Sequence, residues 1–116
     1  MRFQNFPIYQ ELRLFSKEIY VFSRELPQIE QFELASQMRR AVSSAVLNIA
    51  EGSMKKSDAE FNRFVLISVG SISEIVAILD ICLDNDYINT SLHAQYVLKC
   101  ENIVKQLYGF SRKLRN

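Results

Sequence analysis

A chain of 116 residues is long enough to close one apolar core without disulfides or metals. Its 48% hydrophobic content excludes intrinsic disorder, and three glycines and two prolines favour long helices over a turn-rich β architecture. A net charge of +1 supplies no global field to concentrate nucleic acid, so any such binding must come from local asymmetry.

Ile8, Leu12, Phe15, Ile19, Phe22 and Leu26 alternate steps of four and three, the a/d seam of a helix over about residues 8–26. Pro7 suits its first turn, and Pro27 stops it because proline lacks the N–H that the next turn needs. A second helix is predicted over about 30–51, with Leu34, Met38, Ala41, Ala45 and Ile49 as its seam and Gly52 as a left-handed cap. Ser57-Asp58-Ala59-Glu60 reads as a capping box that opens a third helix over about 58–85. Its seam is Phe61, Phe64/Val65, Ser68, Ile72, Ile75, Leu79 and Cys82. After a short turn, Asn89 or Thr90 caps a fourth helix over about 90–115, whose apolar stripe runs from Leu92 through Cys100, Ile103 and Leu107 to Leu114. Connections this short make consecutive helices antiparallel neighbours. The predicted fold is all-α, one up-down-up-down four-helix bundle spanning residues 1–116.

The third helix carries more aliphatic side chains than its seam requires. Leu66, Ile67, Val69, Ile78 and Ile81 extend the apolar surface around most of its circumference, which predicts a subunit interface. A membrane span is rejected because Glu74 and Asp80 fall inside the most apolar window, each costing roughly 2.5–3.5 kcal/mol at mid-bilayer. No secretory h-region opens the chain, and Cys82 and Cys100 sit in apolar helical patterns rather than a disulfide framework. The expectation is a cytoplasmic protein.

Catalytic and metal chemistry is sought and not found. His93 is the only histidine, which rules out zinc sites built on several histidines, paired-histidine catalysis and a di-iron carboxylate centre. Gly52, Gly70 and Gly109 are isolated and make no phosphate loop. Glu60 and Glu74 lie some 20 Å apart along one helix, too far to act as a carboxylate pair. A non-enzyme without metal or cofactor is expected.

Two polar patterns remain. Gln37, Arg40, Ser44 and Asn48 on the second helix and Ser71 and Glu74 on the third flank the apolar seams, so a register-setting network is expected, with Arg40 reaching Glu74. The up-down topology also sorts charge. One end gathers Arg2, Arg13, Lys55, Lys56, Arg63, Arg112, Lys113 and Arg115 for a balance of +4, and the opposite end carries −5. In a ring of parallel subunits the basic ends add up to a rim that attracts phosphates.

The run Gln37-Met38-Arg39-Arg40-Ala41, followed by Ser44 and Asn48-Ile49-Ala50-Glu51-Gly52, resembles the four-helix-bundle proteins encoded in 23S rRNA intervening sequences. Glu60-Phe61, Arg63-Phe64 and Gly70-Ser71 with Glu74 are similar to that family's third helix. The resemblance implies a left-handed antiparallel bundle, a homopentameric ring and no established enzymatic activity. Related accessory variability determinants of diversity-generating retroelements are basic pentamers that bind nucleic acid and a reverse transcriptase. The resemblance therefore adds Arg39 to Lys55, Lys56, Arg63, Arg112, Lys113 and Arg115 as candidate contacts to RNA or DNA. The alternative is a structural scaffold that recognises a protein partner and no nucleic acid.

Overall fold

The computed structural model describes residues 1–115. Four helices account for most of them: α1 (Pro7–Arg24), α2 (Leu34–Ser53), α3 (Asp58–Asp84) and α4 (Thr90–Arg115). Short 3-10 turns at Arg2–Asn5 and Gln28–Glu30 complete the order, and no strand occurs among the described residues. The helices form a bundle 44 × 23 × 20 Å. α3 packs most closely, against α2 and α4, whereas α1 and α4 meet along a looser seam.

The periodic residues are the core. Five seam residues of α1 and Leu26, two residues past its observed end, are buried, as are Met38, Ala41, Ala45 and Ile49 of α2 and the whole α3 seam. Cys100, Ile103 and Leu107 close the centre from α4, while Leu92, Tyr96, Phe110 and Leu114 pack at its edge. Two serine bonds fix the α2–α3 register: Ser68 Oγ donates to the Ala45 carbonyl at 2.8 Å, and Ser71 Oγ donates to Ser44 Oγ at 3.0 Å.

Several element ends differ from the sequence expectation. α2 begins at Leu34 rather than near residue 30, because Gln28–Glu30 form their own 3-10 turn and Glu33 leaves the helical region with φ −115° and ψ −103°. At α3 the serine half of the capping box is made, with the Glu60 amide donating to Ser57 Oγ at 3.1 Å. The Glu60 carboxylate instead lies 3.9 Å from the Arg63 guanidinium. Asn89 caps α4 by accepting from the Leu92 amide at 2.7 Å.

Gly52 does not cap α2. It is buried inside the helix with negative φ, and a Cβ there would lie 2.7 Å from Phe64 Cβ and 2.9 Å from Phe61 Cδ1. Its missing side chain lets α2 and α3 close together. The left-handed cap falls at the end of α3, on Asp86 with φ 60°. The Tyr87 amide donates to the Cys82 carbonyl at 2.8 Å and the Asp86 amide to the Leu83 carbonyl at 3.1 Å. Those paired bonds are a Schellman motif, built on aspartate where glycine is usual.

The α3 surface divides in two. Leu66, Ile67 and Ile81 are 40–43% exposed, but Val69 and Ile78 are buried within the single chain. Those two are corrected from interface to core, because packing against α2 and α4 together buries an arc wider than the a/d seam. By length and composition α3 could cross a membrane, and half of its most apolar window is buried inside the bundle.

Candidate nucleic-acid interface

The end where α1 and α3 start and α2 and α4 finish is built on aromatic rings. Phe6, Phe61 and Phe110 cluster with centroid separations of 5.3–6.4 Å, and Gly52 admits Phe61 and Phe64 against α2. Phe6 comes from the segment before Pro7, which the helical periodicity did not single out. The cations lie over this apolar floor. Lys55 Nζ and Arg63 Cζ each sit 5.0 Å from the Phe64 centroid, Arg2 Cζ 5.6 Å from Phe6, and Arg13 Cζ 5.9 Å from Tyr9. Cation–π contact holds a charge in place without neutralising it.

Among the described residues, Lys55, Lys56, Arg112, Lys113 and Arg115 form no ion pair, and Arg63 has only the 3.9 Å approach of Glu60. Lys56, Arg63, Arg112, Lys113 and Arg115 are exposed; Lys55 is half-buried by its ring. Phe61 and Phe64 are themselves buried, so these rings are not platforms for stacking bases. The chemistry on offer is positive charge for phosphate oxygens, which positions a nucleic acid without reading its sequence.

Arg39 does not join this cluster. It lies toward the opposite end, half-buried, where its guanidinium donates to Ser23 Oγ and to the Gln31 carbonyl, each at 3.0 Å. Its hydrogen bonds brace the α1–α2 connection, which makes it a structural donor here.

The expected polar network is only half assembled. Ser44, Asn48 and Ser71 are linked, with Asn48 Nδ2 donating to the Ser44 carbonyl at 2.8 Å and to Ser44 Oγ at 3.1 Å. The serine register brings Arg40 level with Glu74, yet both side chains are exposed and no ion pair joins them. Gln37 is likewise exposed. An arginine and a glutamate this free gain little from pairing in water, where the net benefit of an exposed ion pair is about 0–1 kcal/mol.

Elsewhere the molecule offers little reactive chemistry. Burial, with the Glu30 carboxylate adding to it, pushes the Cys82 thiol up to about 11; burial, with Glu101, pushes Cys100 up to about 12. Both are free and protonated at neutral pH. His93 pairs with Asp80 at 2.8 Å at the bundle surface. No group of three or more His, Cys, Asp or Glu among the described residues is placed to hold a metal ion.

The model of the 23S rRNA-intervening sequence protein family matches residues 4–109. The chain belongs to this family. A solved structure from Bacteroides thetaiotaomicron, described as a protein of unknown function from the S23 ribosomal protein family, superposes with a TM-score of 0.83. That likeness covers 90% of this chain and 95% of the other at 20% identity, which supports the shared fold alone. A search among curated proteins finds no match. Within this 23S rRNA-intervening sequence protein, the glycine of the Asn48-Ile49-Ala50-Glu51-Gly52 run is a packing position beneath the basic end.

Proposed function

We propose that this 23S rRNA-intervening sequence protein is a non-enzymatic, self-assembling bundle whose basic end holds RNA or DNA by its phosphates. The observation that carries the reading is the set of cations at one end: Lys55 and Arg63 rest on the Phe64 ring, and Lys55, Lys56, Arg112, Lys113 and Arg115 have no carboxylate partner among the described residues. Assembly multiplies that charge. Leu66, Ile67 and Ile81 offer a mostly apolar face of α3 to a neighbouring copy, with the small residues Gly70 and Ala77 and the exposed Glu74 between them. A closed ring of five is the number that the family resemblance implies, and in it five basic ends would share one rim.

The test is a salt titration of binding to structured RNA and to duplex DNA. Each lysine that contacts a phosphate contributes about one unit to the slope of log affinity against log salt. Lys55→Glu with Lys56→Glu should lower that slope by about two per bound subunit and leave assembly, read by sedimentation, unchanged. Wild-type binding that is negligible at both about 50 mM and 200 mM salt would remove the nucleic-acid reading. The scaffold would then be the better account, and the exposed Ile29 and Phe32 at the opposite end favour it.

A further inference from the structure

The connection between α1 and α2 carries the two most exposed large apolar side chains of the molecule, Phe32 at 86% and Ile29 at 78%. A loose loop could fold them inward, but this one is pinned. Gln31 Nε2 donates to the Ser23 and Leu26 carbonyls at 3.0 and 2.9 Å, and the Gln31 carbonyl accepts from Arg39. Tyr87 donates to Glu30 at 3.0 Å from the other turn at that end. With Gln31 held inward on one side and Glu33 bonded back to Glu30 on the other, Phe32 is held out in solvent. Glu25, Glu33, Asp84 and Asp86, all exposed, share this end of the bundle.

The basic end has the matching feature. A cleft of about 520 Å³ opens on the loose α1–α4 seam, floored by Pro7, Ile8 and Phe110 and edged by Arg112 and Lys113. Gly109 leaves it open, since a Cβ there would meet nothing nearer than the Arg112 guanidinium at 3.8 Å. Phe110 backs onto Phe6 and Phe61, which makes its rear wall rigid. Knob and cleft lie at opposite ends of a molecule 44 Å long, so one chain cannot satisfy itself.

We propose that Phe32 of one copy seats in the Pro7–Phe110 cleft of the next, so that copies stack head to tail. An aromatic knob on the acidic end meets an open, largely apolar cleft edged by Arg112 and Lys113, and the −5 and +4 ends attract. Because the two patches differ, the contact is heterologous and open-ended, unlike a ring that closes. The pinned loop is preorganised, so little ordering cost falls on association. Stacking would compete with nucleic acid for Arg112 and Lys113, so its test contains no nucleic acid and its failure leaves the nucleic-acid reading standing.

Sedimentation velocity of the full chain across a concentration series, at about 50 mM and about 500 mM salt, tests it. At low salt the wild type should keep growing with concentration, and high salt should reverse that growth. Phe32→Ala removes a solvent-exposed side chain, and Gly109→Phe fills open space, so both should keep the helical circular dichroism. Each should raise the concentration needed for growth about tenfold or more, while preserving whatever closed assembly α3 makes. Wild type that stops at a closed species at low salt overturns the proposal, as does Phe32→Ala that grows like wild type. Phe32→Ala that falls to a lone subunit assigns the loop to the lateral contact and equally overturns stacking.

Discussion

Replacing Gly52 by alanine tests how the basic end is built. The added Cβ would stand 2.7 Å from Phe64 Cβ and 2.9 Å from Phe61 Cδ1, closer than real Cβ contacts come, and Phe64 Cβ cannot swing away as a flexible side-chain tip would. Overpacking a tight core costs about 1–3 kcal/mol. The better helix propensity of alanine offsets up to about 1 kcal/mol of that, less this close to the helix end. The net expectation is a loss of about 1–2 kcal/mol, or a fall in Tm of about 4–8 °C for a domain of this size. Gly70→Ala is the control, since its Cβ would meet nothing within 4 Å at the middle of α3. Because Gly70 also lies in the strip proposed for lateral assembly, the comparison is made at a concentration too low for assembly, where Gly70→Ala should raise the stability of the chain by about 0.5–1 kcal/mol through propensity. Thermal denaturation of both variants by far-UV circular dichroism, at one fixed protein concentration, reads the contrast. Gly52→Ala as stable as wild type, or the two variants moving together, would refute the close-approach account of this glycine.

Two further outcomes follow from local structure. Asp86 occupies the left-handed C′ position, so Asp86→Gly should stabilise the fold by about 0.5–1 kcal/mol in urea denaturation, through relief of the φ 60° backbone. The buried thiols have folded-state values of about 11 and 12, above their unfolded value of 9.0. Their contribution is therefore fully present below pH 9 and is lost as the pH rises from 9 through about 11 for Cys82 and about 12 for Cys100, because the unfolded chain sheds those protons first. The urea midpoint should decline over that window, and more steeply in wild type than in Cys82→Ala/Cys100→Ala.

The helices were legible because period, caps and breakers agree. The α1 seam repeats without error between Pro7 and Pro27, and every one of its six residues is buried. What periodicity could not carry was the difference between two uses of glycine. Gly52 follows a long apolar pattern as a cap would, yet it serves a contact with Phe61 and Phe64, residues nine and twelve positions further along the chain. The true left-handed cap went to an aspartate whose surrounding sequence gives no such signal. The basic end was legible as a charge balance, because topology alone decides which helix ends meet. Its aromatic floor was not, since Phe6 precedes the first periodic segment and its ring partners lie on α3 and α4.

Surplus hydrophobicity on α3 was a sound signal counted too generously. Composition reports how many aliphatic side chains a helix has, but how wide an arc its neighbours cover depends on how closely they pack. Here Gly52 and the small residues Ala41, Ser44 and Ala45 bring α2 in close, and α4 covers the other flank, so Val69 and Ile78 are absorbed. Leu66, Ile67 and Ile81 remain, with Gly70 and Ala77 between them, and the exposed Leu47 on the adjoining helix α2. Scattered exposed aliphatics are ordinary on a lone subunit. Three exposed aliphatics on one side of a helix, interrupted by the exposed Glu74 but with small residues that let another backbone approach, are an arrangement that association can use. The strip therefore supports lateral assembly through its alignment, while the polarised ends support contacts along the long axis. The two modes draw on separate surfaces, and so each can be broken without the other.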